Sequence, residues 1–353
     1  MAGERIKKTN LGWKIGYLPV SNPRAMSEYR SVLVPGPSPF QLDRSHRILS
    51  IGSCFAERIG VRLERQKFTV HRNPFGILYN PISMQICLSM LLGNHQFSAA
   101  DIFEHEGRWN SYYHHGKFVR TSPSGLLASL QRSLTASRTA LLAADRIILT
   151  LGTARIHRHK ALGEIVANCH RLPRAAFEER RLGPEEIVLT LRPLLQHLAT
   201  RQPGLQVLLT VSPVRHLRDG LVNNQRSKAA LLLAVEQLER ELPFAHYFPA
   251  YELVTDDLRD YRFFERDLMH PTEWATDYVW ERFQQSCFTE PAAALTPQIE
   301  CLQRAAAHRP VLLHSTAHQR FVRAQLTELE TFTAAHPALD FSAERSALER
   351  QLI

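Results

Sequence analysis

No stretch of this 353-residue chain approaches the ~20 apolar residues of a membrane-crossing helix, so no membrane span is expected. Cysteine is sparse: Cys54, Cys87, Cys169, Cys287 and Cys301 are all there are, and none form C-x-x-C. An odd, scattered set in a long chain argues against a disulfide scaffold and points to a reducing compartment. The polar start, Met1 to Lys8, lacks the roughly 7–15-residue apolar run of a secretory signal, so a cytoplasmic location is expected. Acidic residues are outnumbered, 34 against 43 Lys and Arg, for a formal charge of +9. Yet the chain has no Lys/Arg block of five, no Gly/Arg repeat and no zinc-finger spacing, so a nucleic-acid partner is not expected. The dispersed basic surface suits anionic small molecules instead, such as acyl-CoA or an acidic glycan. Internal repeats and low-complexity tracts are missing too.

What is present is ordinary globular material: 44% hydrophobic and 22% charged residues, enough for one large core or two small ones. Residues 1–45 carry five prolines, from Pro19 to Pro39, and few periodic apolar positions; they are expected to be an extended arm, pinned by Trp13, Ile15, Tyr17 and Leu18. Residues 46–288 alternate strand-like with helix-like segments. Strands are predicted at 47–52, 68–72, 145–152, 205–212 and 245–251, and helices near 55–66, 81–93, 124–143, 184–201, 224–241 and 272–286. Such alternation predicts a three-layer α/β/α domain with five parallel strands in the order 2-1-3-4-5. Ligands would then bind at the switch point beside the first strand's carboxyl end. Residues 289–353, with Val311, Leu312, Phe321, Val322, Leu326, Leu329 and Phe332, are expected to be a C-terminal helical extension.

Two segments carry candidate chemistry. In the first, the apolar strand Ile48–Ile51 runs into Gly52-Ser53-Cys54, and a helical pattern (Phe55, Ala56, Ile59, Leu63) starts at once behind it. A strand, a tight turn and a helix present a nucleophile to the free N–H groups of the first helical turn, and the helix dipole is expected to lower the Cys54 pKa. The alternative is that Cys54 is a small buried hydrophobe. In the second, Asp267 and His270 stand three apart just before a predicted helix, with Pro271 placed for its first turn. The carboxylate can hold the imidazole Nδ1–H, leaving Nε2 to take a proton from a nucleophile.

The stretch Gly52-Ser53-Cys54-Phe55-Ala56 resembles the name-giving motif of the GSCFA domain family, itself similar to a branch of the SGNH/GDSL hydrolase superfamily. Further stretches fit: Asn73-Pro-Phe-Gly76-Ile-Leu-Tyr-Asn-Pro81, Leu149-Thr-Leu-Gly-Thr-Ala154, Asn168-Cys-His170, Val211-Ser-Pro-Val214 with His216 and Asp219-Gly220, and Asp267-x-x-His270-Pro271. The resemblance spans roughly residues 46–288. It implies a flavodoxin-like fold and ester or acyl-transfer chemistry, and supplies no substrate. In that superfamily the nucleophile stands two residues after the first Gly. That register selects Cys54 over Ser53, which takes the position of the usual Asp. The usual Gly-x-Asn-Asp block is replaced here by Gly152-Thr-Ala-Arg155, with Asn168 as a substitute amide. The resemblance also implies that the Gly76 N–H serves an oxyanion hole, with Ser53, Gly152, Asn168 and His170 as further oxyanion or substrate-binding candidates. Pro74-Phe75-Gly76 reads equally as a turn, and Gly152 as an ordinary strand-end glycine.

The insert after the second strand carries Trp109, Tyr112, Tyr113, His114, His115 and Phe118, which either line an acyl or sugar pocket or cover the sheet as an aromatic cluster. Neighbouring His114 and His115 point apart and lack a Cys or carboxylate at ligand spacing, so no metal is expected. His157-Arg-His159-Lys reads as a solvated loop. His170, beside Asn168, has either a pocket role or a structural capping one. The resulting expectation is a Cys54–His270–Asp267 triad. Cys54 would attack an ester or thioester carbonyl, with N–H groups of Cys54 and Gly76 and the Asn168 amide on the oxyanion. The substrate would be a small-molecule or glycan ester, with no cofactor beyond acyl-CoA as a co-substrate; water makes an esterase and a sugar hydroxyl an O-acyltransferase. The alternative is a non-catalytic ligand- or protein-binding module on the same fold.

Overall fold

The computed structural model describes residues 30–352, apart from the side chain of Asp219. Trp13, Ile15, Tyr17 and Leu18 lie outside the described residues. Five strands form one parallel sheet: β1 (Arg47–Gly52), β2 (Thr69–Arg72), β3 (Arg146–Leu151), β4 (Gln206–Val211) and β5 (Ala245–Tyr247). Their spatial order is β5-β4-β3-β1-β2, as the alternating pattern predicts. Register runs evenly, with Ile48 beside Arg146 and Gly52 beside Thr150 across β1 and β3. The three central strands are apolar nearly throughout because helices cover both faces of a parallel sheet.

Period-two alternation decides which helices lie on which face. Leu49, Ile51, Ile147, Leu149, Val207 and Leu209 pack under α2 (Pro81–Leu92), α3 (Pro123–Ala143), α4 (Pro184–Arg201) and α5 (Gly220–Glu241). Ile48, Ile148 and Leu208 point the other way, onto α1 (Cys54–Arg65) and α6 (Glu273–Cys287). Helix starts follow their capping residues: Ser53 for α1, Asn80 for α2, Ser122 for α3 and Thr272 for α6 each accept a backbone N–H. Thr272 caps α6, so Pro271 precedes the cap and does not occupy the first turn. Strand β5 is shorter than predicted, because the chain turns at Pro249 into a helical segment.

Described residues 30–45 run without a helix. Phe40 and Leu42 are fully buried against the α1/α6 layer, and Leu42 N–H donates to Cys287 O. The last helices, α7 (Glu290–Ala306), α8 (Thr316–Ala335) and α9 (Ser342–Glu349), close on their own core of Ile299, Leu302, Val322, Leu329, Phe332 and Phe341. Lys67 Nζ ties this cluster to the sheet domain through Glu344, at 2.7 Å. Among the described residues no helix is long and apolar enough to cross a membrane.

One sequence expectation fails outright. His157-Arg-His159-Lys, read as a solvated loop, lies mostly on Arg155–His159, the central strand of a small antiparallel sheet, with Ile165–Val166 and Phe177–Arg181 on either side. Ile156 is buried beneath it while His157 and Arg155 turn to Glu179, so polar residues on one strand face misled the reading.

Candidate active site at the carboxyl edge of the sheet

Gly52 ends β1 where the backbone of β3 comes too close for a side chain. A Cβ there would stand 2.4 Å from Thr150 O. Its N–H donates to Asn73 Oδ1 at 2.9 Å, and Asn73 Nδ2 donates to Glu57 on α1. Asn73 thus fastens the strand end to the helix that follows. Ser53 is fully buried and caps α1, its Oγ accepting from the Phe55 N–H at 3.2 Å. Cys54 is the first residue of α1 and half-buried.

The Cys54 thiol is pulled two ways. Burial raises its pKa; Arg58, one helical turn on, opposes it, as do the N–H groups of Cys54 and Phe55 and the Lys228 ammonium. Burial prevails, so the expected lowering by the helix terminus does not occur. A helix end supplies only partial charges, whereas desolvation acts on the whole thiolate.

Asp267 and His270 form the expected pair. His270 Nδ1 lies 2.6 Å from Asp267 Oδ2, and Asp267 Oδ1 accepts the N–H groups of Met269 and His270 at 2.9 and 3.0 Å. The backbone bond from His270, then its side chain and the Met269 N–H, hold Asp267 down to about 2. The pair lies on α1's side of the sheet: Arg58 Nη1 donates to Pro271 O at 2.7 Å and to Thr276 Oγ1 at 3.2 Å. Arg62 binds Glu273 and Asp277 of α6 one turn further along. Cys54, Arg58 and Arg62 share one face of α1, and Arg58 on that face holds the backbone at Pro271.

The glycine N–H groups offered as oxyanion donors are engaged elsewhere. Gly76 N–H donates to Asn73 O at 2.8 Å within a turn, and its φ of +79° is the turn's requirement. Gly152 N–H donates to Tyr79 O at 2.8 Å, beside the Thr153 N–H on the same oxygen. Both glycines therefore follow the structural reading. Asn168 uses Oδ1 to accept the His170 N–H at 2.9 Å, and His170 Nε2 lies 2.7 Å from Ser111 O, a capping role. Both nevertheless line a cleft of about 480 Å³ bordered by Tyr79, His216 and Ser227.

The aromatic insert divides. His114 is buried, stacked on Phe75 at 4.4 Å, with burial driving its pKa down to about 3. Tyr112 stacks on Phe103, and Tyr113 donates to Glu164. Of that group only His115 reaches this cleft; Trp109 and Phe118 pack with Leu126 and Leu130 of α3, and Tyr113 lines a separate cleft. Among the described residues no three His, Cys, Asp or Glu side chains are grouped to hold a metal ion.

Two residues were missed as site candidates. Lys228 is 1% exposed and donates to Gly152 O and Ser212 O, both at 2.6 Å, bridging the carboxyl ends of β3 and β4. Burial brings its pKa down to about 7, partly offset by Cys54. The signal was there: Asn224, Lys228, Leu231 and Val235 follow one helical stripe, and a lysine within it has to be buried. His216 Nε2 is buried with no hydrogen-bond partner, its ring edge-on to Tyr79 at 5.3 Å. Burial first, then Lys228 and His270, lower its pKa to about 3.

A parallel sheet with a strand–Gly-Ser-Cys–helix turn and an Asp–His pair on the facing loop defines an α/β protein with a thiol at its ligand edge. Residues 47–283 match the model of the GSCFA family, and the chain belongs to that family. Residues 299–353 match a second one, the GSCFA domain protein, C-terminal domain. No curated protein matches the chain. A solved structure from Streptococcus pneumonia, described as "a putative platelet activating factor", is similar at 14% identity and a TM-score of 0.35, over 72% of this chain and 85% of that one. A likeness that slight carries no argument.

Proposed function

We propose that the protein is an SGNH-like hydrolase or acyltransferase that acts on an ester or thioester through an acyl-enzyme on Cys54. The observation that supports it is the Arg58 anchor. It joins the Cys54 helix to the backbone next to His270, while Asp267 holds His270 Nδ1 and leaves Nε2 for the thiol. His270 takes the thiol proton, and Cys54 Sγ attacks the carbonyl carbon to give a tetrahedral oxyanion. On collapse the leaving oxygen or sulfur departs with the proton from His270, and the acyl group stays as a thioester. Water or an acceptor hydroxyl, deprotonated by His270, then attacks the thioester, and the thiol is released. With Gly76 and Gly152 engaged, the oxyanion donors are the Cys54 N–H and the Asn168 amide. Lys228 sets a positive charge near the thiolate.

The burial of Cys54 favours a second reading, a non-catalytic binding module on the same fold. A panel of p-nitrophenyl esters and acyl-CoA donors, followed by intact mass, separates the two. The enzyme reading expects a covalent acyl adduct that is lost in Cys54→Ala and much reduced in His270→Ala. It also expects iodoacetamide to label Cys54 more slowly in His270→Ala, measured in a Cys301→Ser background because Cys301 is exposed. If no donor leaves an adduct and His270→Ala labels at the parent rate, the binding module is the better account.

A further inference from the structure

The chain that carries Asp267 and His270 is a tight hairpin. Thr272 N–H donates to Phe263 O at 2.8 Å, Phe264 bridges Pro271, and Glu265 N–H donates to His270 O at 2.7 Å. At the tip, Leu268 has a φ of +57°, in the left-handed region that a residue with a Cβ enters only at a cost. That turn brings the Met269 and His270 N–H groups back onto Asp267 Oδ1 and sets the imidazole on Oδ2. Leu268 is 46% exposed, so burial of its own side chain does not hold the turn. A sparsely populated conformation persists only where its surroundings impose it.

The residue placed to impose it is Arg215, just past β4 in the Val211–His216 stretch. Its N–H donates to Met269 O at 3.1 Å and its Nη1 to Leu268 O at 3.4 Å, so one residue holds both carbonyls ahead of His270. Its guanidinium also lies 3.9 Å over the ring of Phe264, buried in the hairpin stem, and 5.1 Å over that of Tyr261. A planar guanidinium stacked on the stem is pre-oriented toward the tip, with less freedom left to lose. Arg58 holds the same hairpin at Pro271 O, so arginines from two distant elements grip it.

We propose that Arg215 is a positioning residue: it holds the left-handed turn at Leu268 and so fixes the His270 ring on Asp267. The use of that ring on the Cys54 thiol rests on the acyl-transfer reading; the clamp itself does not.

Two measurements on the full chain, in the Cys301→Ser background, test the clamp. The first is the long-range proton–nitrogen NMR spectrum of the histidine rings. Asp267 should hold His270 as the Nδ1–H tautomer, a signal assigned by its loss in His270→Ala. The second is the rate at which iodoacetamide labels Cys54. Arg215→Ala should average the two tautomers and slow labelling by about tenfold, the scale on which an L-residue disfavours the left-handed region. Adding Leu268→Gly, a residue that enters that region freely, should restore the Nδ1–H signal and bring labelling to within about threefold of the parent. A guanidinium needed only for packing on Phe264 would not be replaced by a glycine at 268. The proposal is overturned if Arg215→Ala keeps the parent's tautomer, or if the added Leu268→Gly leaves the tautomers averaged. Should Arg215→Ala not fold, Arg215→Met, which keeps an apolar stem over Phe264 but no donor, is judged by the same two outcomes. If the tautomer changes as expected while the parent, Arg215→Ala and His270→Ala all label alike, the acyl-transfer reading fails and the clamp stands.

Discussion

Lys228 brings the conflict between burial and charge to its sharpest at the scale of one residue. Its ammonium donates to two carbonyls at strand ends, and its folded pKa of about 7 lies below the ordinary 10.5. Between those values the unfolded chain binds more protons than the folded one, so this group's contribution is complete above pH 10.5 and is lost as pH falls through 7. Lys228→Met should therefore cost about 1–3 kcal/mol for each buried carbonyl left without a donor. The deficit against the parent should be larger at pH 9.5 than at pH 7, measured by urea unfolding at both; a pH-independent deficit would mean that Lys228 keeps its ordinary pKa. Ser53 and Cys54 separate in the same way, by role. Ser53→Ala removes a helix cap, with an expected loss of about 1 kcal/mol and partial activity, whereas Cys54→Ala removes the proposed nucleophile. A dead Ser53→Ala beside an active Cys54→Ala would make this a serine enzyme.

At the scale of elements, α1 does two things with one face. Ile59 and Leu63 fill the core beneath the sheet, while Arg58 and Arg62 reach out to the chain around the start of α6. Through Arg58, a helix fixed to β1 controls where a loop more than 200 residues later comes to rest. Arg58→Ala is expected to slow Cys54 alkylation about as much as His270→Ala does. The double variant should be little slower than either single one, because both remove the same function. Additive losses in that cycle would show that Arg58 acts on the thiol by charge alone. The insert after β3 divides its side chains, with Ile156 joining the core beneath the sheet while Arg155, His157 and Glu179 line the cleft.

At the scale of the whole molecule, the structure holds two large apolar clusters around the sheet and a separate one among α7, α8 and α9. That third cluster meets the rest through Lys67 with Glu344 and the Phe341 ring, Gln66 with Glu300, Arg65 O with Gln303, and Arg44 with Ala292 O and Thr296. Leu329 is fully buried within it, and Leu329→Ala should cost about 2–5 kcal/mol of local stability. Hydrogen exchange should then show lost protection along α8 with β3 and β4 unchanged. Protection lost evenly through the chain would mean that the cluster unfolds only with the sheet.

The five strands, their order and most helix limits were legible because apolar spacing and capping residues are local properties, written within a dozen residues of each element. The helix starts read at 81, 124 and 272 lie within a residue of those the fold adopts, although Pro271, read into the first turn, precedes the Thr272 cap. The Asp267–His270 pair was legible for the same reason, its partners being one turn apart. What was not legible depends on distance along the chain. That Gly76 and Gly152 have engaged N–H groups is decided by Asn73 and by Tyr79, and for Gly152 the partner is on another element. His157-Arg-His159-Lys read as a loop because a strand polar on one face, paired only with its own insert, lacks the apolar signature of the main sheet. The Cys54 pKa could be read from sequence only as a helix-terminus effect. Its burial and the ammonium of Lys228 come from elements far along the chain, and desolvation exists only once those elements have packed. The sequence by itself determined the elements and the residue types at the sheet's carboxyl edge; tertiary structure alone decided which of their hydrogen-bonding groups remain for chemistry, because burial and pairing are properties of neighbours in space.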